Sequence, residues 1–420
     1  MLLHALAPSL NFSKAPEPAA ESAPKERLTV LLGAGASVFS GAPSTTRLTE
    51  IVAARTITGA ILRILRGDNE TRQTNYEDAF HVLEQLEALK SPTPDRASAS
   101  LHHFLRPLEK IDGIIMDLPT IRRERFDVME TIADAFGNLN YDSSWRTLTD
   151  LLAVLLAEFN LDIFTLNYDL LADIAVEGLS RLSGKKWFNG FKTSIKGVDA
   201  PFNPKEYASW NPDWGPKYLT LQHLHGSLAY AYAPGGRFVH ARRYVLEEGE
   251  DLSEIRESWL RAKATALQCP TEDLCGISPL ISGLRKLEKL NVQPYANYYA
   301  AFAHAISKSP RLLILGYGKG DEHINYWIQE FAQIHNRAAR IVEITDSDAR
   351  DRFAMQRITE WSDLHWSNYR GLSDVFESAA GIENLAITSG FHQDSTLPQR
   401  LQELAIPFYS GGLNARTRSG

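Results

Sequence analysis

A strand-like run that ends in a glycine-rich turn constrains the fold of this 420-residue chain more than any other feature. The run LTVLL, from Leu28 to Leu32, is apolar, has the length of one strand and leads into Gly33-Ala34-Gly35-Ala36-Ser37. In α/β proteins such a turn opens a helix, and its glycines let the backbone approach a phosphate. A dinucleotide fingerprint needs a third glycine where this chain has Val38, which disfavours a dehydrogenase. Taken alone, the turn fits a phosphate cradle and a ligand-free tight turn equally well.

Four further runs of strand type recur along the chain, at 162–165, 218–224, 311–315 and 340–344. Because each ends at a turn and most lead into helix-like sequence, the pattern predicts an α/β fold, Rossmann-like and doubly wound, with a largely parallel sheet. Helix-like sequence at about 91–156 predicts a helical insertion, and a C-terminal extension begins at about 347. Residues 1–26 are predicted to be a flexible leader before one domain, 27–420.

Polar residues and glycines follow these strands at the edge where open α/β sheets bind ligands. Asn167 and Asp169 follow one strand, His223 and His225 end the next, and Gly316-Tyr317-Gly318 follows a third. Asn167 fits helix capping as well as ligand binding. His225 fits either a general base in a cleft or a core histidine bonded to a backbone carbonyl.

Two groups of residues in the sequence bear on metal binding. Asp321, Glu322 and His323 suggest a metal site, but their position at the start of a helix favours capping and exposure to solvent. The only two cysteines, Cys269 and Cys275, have five residues between them and cannot supply a four-cysteine zinc module. We therefore expect no zinc-binding small domain and no bound metal.

The charge balance excludes some classes of partner. The chain has 44 Lys and Arg against 51 Asp and Glu, a net charge of −7, so direct binding of nucleic acid or of an anionic membrane is not expected. The short basic run Arg122-Arg123-Glu124-Arg125 is interpreted as a solvated surface. Without an apolar run of about 20 residues or a basic N-terminal signal region, we expect a cytoplasmic protein.

Four segments of the chain resemble, in the same order, the motifs of the sirtuin superfamily, especially its bacterial antiphage-defence branch. They are VLLGAGAS, FTLNYD, LHGS and LILGYGKGDEHIN. The similarity runs from about Leu28 to Asn325 and more loosely to Asp346. It implies that NAD⁺ is held by several turns of one sirtuin-like domain. The implied binding residues are Gly33, Ala34, Gly35 and Ser37 at the pyrophosphate, Pro43 and Ser44 beside the nicotinamide, Gly316, Tyr317 and Gly318 at the adenosine, and also Asp346.

The resemblance also implies a catalytic set of Asn167, Asp169 and His225. Asn167 would orient the ribose hydroxyls or a water molecule, His225 would accept a proton, and Asp169 would contact the carboxamide. Sirtuin deacylases need a four-cysteine zinc domain beside their peptide groove, which this chain cannot build, so water becomes the natural acceptor. We therefore expect a NAD⁺ glycohydrolase that cleaves the nicotinamide–ribose bond as a triggered effector in antiphage defence, with NAD⁺ as substrate.

Two other functions remain open at this point. One is a sensor module that binds NAD or ADP-ribose without hydrolysing it, and a less favoured one is a protein deacylase. The resemblance further implies a homo-oligomer and a separate sensor or ATPase chain, either a HerA-type ATPase or an Argonaute-type protein.

Overall fold

The computed structural model describes residues 25–67, 74–90, 110–111, 113–137, 144–191, 202–209, 218–227, 230, 286, 290, 293–335, 338–345 and 365–370. Most of the predicted leader therefore lies outside the described residues. The same holds for Cys269, Cys275 and Asp346.

Seven strands form one parallel sheet. They are β1 (Arg27–Leu32), β4 (Asn160–Thr165), β5 (Lys186–Phe188), β6 (Tyr218–His223), β7 (Arg311–Leu315), β8 (Arg340–Thr345) and β9 (His365–Arg370). Their spatial order is β5-β6-β4-β1-β7-β8-β9. A separate antiparallel hairpin joins β2 (Lys110–Ile111) to β3 (Ile114–Ile115). The glycine-turn strand β1 is thus the centre of the sheet.

The central strand is apolar because both of its faces are buried. Leu28, Val30 and Leu32 pack into one hydrophobic cluster, and Leu31 packs into another on the opposite face. Successive side chains of a strand point to opposite faces, so a strand covered on both sides needs a nearly continuous apolar run. This explains why LTVLL lacks the alternation of a half-exposed strand.

Helices cover both faces of the sheet. They are α1 (Thr45–Ala53), α2 (Thr56–Arg66), α3 (Tyr76–Lys90), α4 (Leu118–Gly137), α5 (Ser144–Glu158), α6 (Leu171–Ser183), α7 (Pro204–Ser209), α8 (Tyr295–Lys308) and α9 (Glu322–His335). The cluster that contains Leu28 is closed by α5 and α6. The cluster that contains Leu31 is closed by α1 to α4 together with α8 and α9. A parallel sheet with helices on both faces confirms the predicted α/β class.

The segment predicted as a helical insertion contributes to both layers. Within the described part of this segment, α4 packs on α1, α2 and α3. The next helix, α5, lies on the other face of the sheet and packs there on α6. The hairpin of β2 and β3 lies between Lys90 and α4 in the chain. The structure therefore uses this segment to complete the helical layers beside the sheet.

Three of the four residues in the basic run on α4 are buried and only Arg123 is exposed, so its interpretation as a solvated surface is wrong. Arg122 and Arg125 are 5% and 2% exposed, and both guanidinium groups pair with Glu87 of α3 at 3.0 and 2.6 Å. Glu124 in the same run accepts hydrogen bonds from Arg55 at the start of α2. The charges of this run join α4 to its neighbouring helices, because a buried ion needs a partner of opposite charge.

The structure contains all five strands that the sequence predicts, with bounds that differ by at most two residues. It adds β5 and β9 at the two edges of the sheet. None of the helices in the described ranges is both long enough and apolar enough to cross a bilayer.

Candidate functional site

The candidate site lies where the order of the strands reverses. From β1 the chain adds β4, β5 and β6 on one side, and it then returns to place β7 on the other side of β1. In open α/β sheets, ligands bind at the carboxyl ends of the strands at such a reversal. The turns that follow β1 and β7 are therefore neighbours, and both carry glycines.

These two turns pack directly against each other. The Gly33 N–H donates to the Leu315 carbonyl at 2.8 Å, and the Gly35 N–H donates to the Gly316 carbonyl at 2.8 Å. A Cβ on Gly33 would lie 2.4 Å from the Tyr317 Cα, and a Cβ on Gly35 would lie 2.8 Å from the Gly316 Cα. Close approach between two backbones therefore requires glycine at 33 and 35. In contrast, a Cβ on Gly318 would meet nothing within 4 Å.

The element that follows the first glycine turn differs from the expected α-helix. Ala34–Ser40 is a 3₁₀ helix of seven residues, and it ends at Gly41, whose φ is 81°. Ser44 then caps α1, because its Oγ accepts from the Arg47 N–H at 3.2 Å. A short 3₁₀ helix lacks the aligned peptide dipoles of a long α-helix, so the phosphate-cradle interpretation loses part of its electrostatic basis.

A cavity of about 320 Å³ opens at the ends of these strands. Its volume is at the low end of the range for ligand pockets, roughly 300–1,000 Å³. Seven of the residues proposed from the sequence for NAD⁺ binding or catalysis line it: Ala34, Pro43, Asn167, Asp169, His225, Tyr317 and Gly318. The other residues proposed to bind NAD⁺ do not line it: Gly33, Gly35, Ser37, Ser44 and Gly316. One cavity thus brings together all three residues proposed as catalytic.

A chain of hydrogen bonds orients Asn167. Its Nδ2 donates to the Gly33 carbonyl and to the Ser37 Oγ, both at 2.9 Å, and the Ser37 hydroxyl in turn bonds the Asp169 carboxylate. The buried Oδ1 of Asn167 has no hydrogen-bond partner within the part of the chain that the structure describes. Because an unsatisfied buried acceptor costs about 1–3 kcal/mol, a bound hydroxyl at this oxygen would be favoured. Ser37 thus supports the site through Asn167.

Asp169 has a structural role as well as a place in the cavity wall. Its Oδ1 accepts from the Leu171 N–H at 3.0 Å and so fixes the turn that leads into α6, whereas the N-cap residue of that helix is Leu170 and not Asn167. Burial raises the pKa of the Asp169 carboxyl, against the lowering effect of the hydrogen bonds from Ser37 and Leu171. The group is 2% exposed, so any charge that it carries acts in a medium of low dielectric constant.

His223 lies behind the cavity and supports the backbone of Asn167. Its Nδ1 is 3.3 Å from the Asn167 carbonyl oxygen, and its Nε2 is 2.9 Å from Oδ2 of Asp173. Burial by itself lowers the pKa of His223, but the Asp173 carboxylate and the carbonyl raise it above the ordinary value. Two acceptors on one ring match an imidazolium ion, which donates from both nitrogens. Of the two histidines considered, only His225 lines the cavity.

His225 faces a second histidine and an acid. Its Nε2 is 3.0 Å from Nε2 of His323 and 3.9 Å from Oδ1 of Asp321. Burial lowers the pKa of His225 to about 3 and that of His323 to about 4, so both rings are neutral at pH 7. The exposure to solvent expected of Asp321 and His323 is wrong, because both are only partly exposed and contact His225. Asp321 does occupy the cap position of α9, where its backbone carbonyl accepts from the Ile324 and Asn325 N–H groups at 3.1 and 2.9 Å.

A buried lysine joins this group to α3. Lys286 Nζ lies 2.5 Å from Oδ1 of Asp321 and 3.0 Å from Oε1 of Glu77. Burial by itself lowers the pKa of Lys286, but the two carboxylates raise it above the ordinary value. Burial by itself raises the pKa of Asp321, but His225 and Lys286 lower it to about 2. Two carboxylates and one ammonium ion leave this group with one excess negative charge.

Sequence reasoning missed several residues of the cavity wall, and most of them come from helices. Asn75, Tyr76 and Glu77 lie at the start of α3, Phe136 lies near the end of α4, and Lys286 belongs to no strand end. Helical periodicity identifies α3 but does not show that its first turn faces the sheet edge. The sequence contains no signal that would find Lys286.

Comparisons with known proteins add no assignment. No model of a known protein family matches the sequence. A search among curated proteins also finds no match.

The cavity wall combines three kinds of chemistry. Phe136, Tyr76 and Tyr168 supply aromatic surface suited to a flat ring. The Asn167 amide oxygen supplies a hydrogen-bond acceptor without a partner among the described residues. The neutral His225 ring can accept a proton, and the nearby Asp321 carboxylate can stabilise the imidazolium ion that results.

Proposed function

We propose that the protein is a sirtuin-like, Rossmann-like NAD⁺ glycohydrolase that cleaves the bond between nicotinamide and ribose. The observation that carries the proposal is that Asn167, Asp169 and His225 line one cavity at the reversal of strand order. The three residues come from two separate loops, after β4 and after β6, and all three belong to the sirtuin-like motifs of the sequence. Their convergence supports a shared role in one reaction.

The size and lining of the cavity indicate which part of NAD⁺ it takes. A volume of about 320 Å³ suits the nicotinamide and its ribose better than the whole dinucleotide. The aromatic side chains would pack on the nicotinamide ring. The excess negative charge of Glu77, Asp321 and Lys286, together with the Asp169 carboxyl, favours a cationic pyridinium ring over a neutral one.

The reaction needs little acid catalysis, because nicotinamide leaves as a neutral molecule from a cation. The C1′–N1 bond breaks with its electron pair going to the nicotinamide nitrogen, and water adds to C1′ and loses a proton. Asn167 would hold a ribose hydroxyl at Oδ1, which is buried and lacks a partner in the described ranges. His225 would accept the proton from water or from a ribose hydroxyl, a role typically worth about 10²–10⁴ in rate.

The low pKa of His225 has a consequence for this role. An imidazole with a pKa of about 3 is unprotonated at pH 7 but is a weak base. The Asp321 carboxylate, 3.9 Å from Nε2, would stabilise the imidazolium ion once the proton has been transferred. Weak basal activity fits a triggered effector, and we propose that a separate HerA-type ATPase or Argonaute-type chain and self-assembly supply the trigger.

The test is release of nicotinamide from NAD⁺ by the purified protein, alone and with the product of the neighbouring gene. We expect Asn167→Ala and His225→Ala each to reduce the rate by about 10²-fold or more. Asn160→Ala is the matched control, because Asn160 begins the same strand at the opposite end of the sheet and bonds the Lys25 carbonyl. Equal rates in all four proteins would refute the assignment. NAD⁺ binding by calorimetry without nicotinamide release would favour the sensor function.

A further inference from the structure

The part of the cavity wall that contains His225 and Asp321 belongs to a set of groups that the hydrolysis mechanism does not fully explain. Among the residues that the structure describes, His225, Asp321 and His323 each place one potential ligand atom within 4.8 Å of the other two. We propose that these three residues bind a divalent transition-metal ion of the zinc class. The mechanism uses His225 as a base and Asp321 as its neighbour, but it assigns no role to His323.

The distances suit such an ion after a small adjustment. The two Nε2 atoms are 3.0 Å apart, and Nε2 of His225 is 3.9 Å from Oδ1 of Asp321. With metal–ligand bonds of about 2.0–2.1 Å, the ligand atoms of a tetrahedral ion lie about 3.3 Å from each other. These two separations lie on either side of that value, and all three ligand atoms lie within 4.8 Å of one another, so shifts of at most about 1.5 Å complete the geometry.

The charges around the three ligands also favour a cation. Imidazole nitrogens and a carboxylate oxygen are ligand atoms that such an ion uses. Glu77, Asp321 and Lys286 together carry one excess negative charge. The Lys286 ammonium ion offsets only one of the two carboxylates, and a divalent cation would offset the remaining negative charge. Lys286 and Glu77 would then form the outer shell that orients the Asp321 carboxylate.

Two imidazole nitrogens and one carboxylate oxygen define the class of ion. Zinc, iron(II) and cobalt favour this donor set, whereas magnesium and calcium prefer oxygen ligands alone. His225 and Asp321 both line the cavity, so the fourth position of the ion would face the ligand space. Because one nitrogen cannot hold a metal and accept a proton together, occupancy would inhibit NAD⁺ hydrolysis. That consequence rests on the proposed function, whereas metal binding does not.

The experiment titrates the full-length protein with ZnCl₂ by calorimetry and with CoCl₂ by visible absorption, without NAD⁺. Since thiols also bind these ions, the titrations are repeated in a chain that carries Cys269→Ser and Cys275→Ser. We expect one ion per chain in both backgrounds and the visible absorption of a cobalt ion with nitrogen and oxygen ligands. Zinc should also raise the unfolding temperature, because it binds the folded state.

Variants decide whether the ion sits at the proposed ligands. His323→Gln and Asp321→Asn should each weaken binding by more than the 10- to 100-fold that loss of an outer-shell partner costs. His335→Gln is the matched control, because it removes an imidazole from the same helix at a site where His335 bonds only the Ile306 carbonyl among the contacts described. Circular dichroism confirms that each variant is folded. Absence of saturable binding to the wild type, or equal affinity in His323→Gln and the wild type, would overturn the proposal, whatever the NAD⁺ assay shows.

Discussion

The two glycines Gly33 and Gly318 both belong to the motifs at the site, and the structure predicts opposite effects when each is replaced by alanine. A Cβ on Gly33 would lie 2.4 Å from the Tyr317 Cα and 2.7 Å from the Gly316 carbonyl oxygen. Both atoms belong to the backbone, so no side-chain rotation relieves the clash. The backbone of Gly33 has a φ of −106°, which alanine adopts without strain, so the cost is steric alone.

The magnitude follows from overpacking. Inserting a methyl group into a packed site costs about 1–3 kcal/mol, and more where the backbone must move. We expect Gly33→Ala to lose at least about 3 kcal/mol, a large part of the 5–15 kcal/mol that stabilises a typical domain. A Cβ on Gly318 meets nothing within 4 Å, so Gly318→Ala should match the wild type or gain up to about 1 kcal/mol through a stiffer unfolded chain.

Urea unfolding followed by tryptophan fluorescence measures both variants, since the chain has 8 tryptophans. The midpoint of Gly33→Ala should fall well below that of the wild type with a similar slope, while the midpoint of Gly318→Ala should not fall. If both variants lost the same stability, the conclusion that the two turns are locked together by backbone contact would be wrong.

Two further predictions concern buried charges. Burial by itself raises the pKa of Glu124, but hydrogen bonds from Arg55 and Thr58 lower it below the ordinary 4.5. The charged carboxylate therefore stabilises the fold above about pH 4.5, and this stabilisation is lost as the pH falls through the folded pKa. Urea titrations at stepped pH should show that Glu124→Gln loses less stability in acid than the wild type does. Glu343 is fully buried, and its Oε1 lies 2.7 Å from Nζ of Lys319. Glu343→Gln would leave the Lys319 ammonium ion without this carboxylate and should cost about 3–5 kcal/mol in thermal unfolding. The double variant Glu343→Leu with Lys319→Met removes both charges and should recover most of that loss.

The sequence predicts the buried strands of this fold better than it predicts the edge strands or the order in which strands pair. Buried parallel strands such as RLLIL are continuous apolar runs, which are visible without any structural knowledge. The edge strands KWF and HWSNYR mix polar and aromatic residues, so they carry no such signal. The pairing of β1 with β7 also cannot be read from local pattern, because it depends on how distant segments pack.

The candidate site shows the same division. Asn167, Asp169 and His225 follow strands, and the rule that strand ends form the ligand edge finds them. The rule does not identify Lys286, because its position depends on the fold around Asp321 and Glu77. The rule also does not predict that Gly33 and Gly35 pack against the turn after β7. The same glycine motif would occur in a turn whose glycines make room for a phosphate.

The contact between the turns after β1 and β7 also determines when the site can exist during synthesis. Gly33 is synthesised long before its partners Leu315 and Tyr317, which lie far downstream in the chain. Until then β1 lacks one of its two neighbouring strands, and the cavity lacks the wall that Tyr317 and Gly318 form. An unfinished or truncated chain that ends before β7 therefore has no complete site. Under the NAD⁺ hydrolysis proposed above, this order of assembly would protect the cell from incomplete products of the chain.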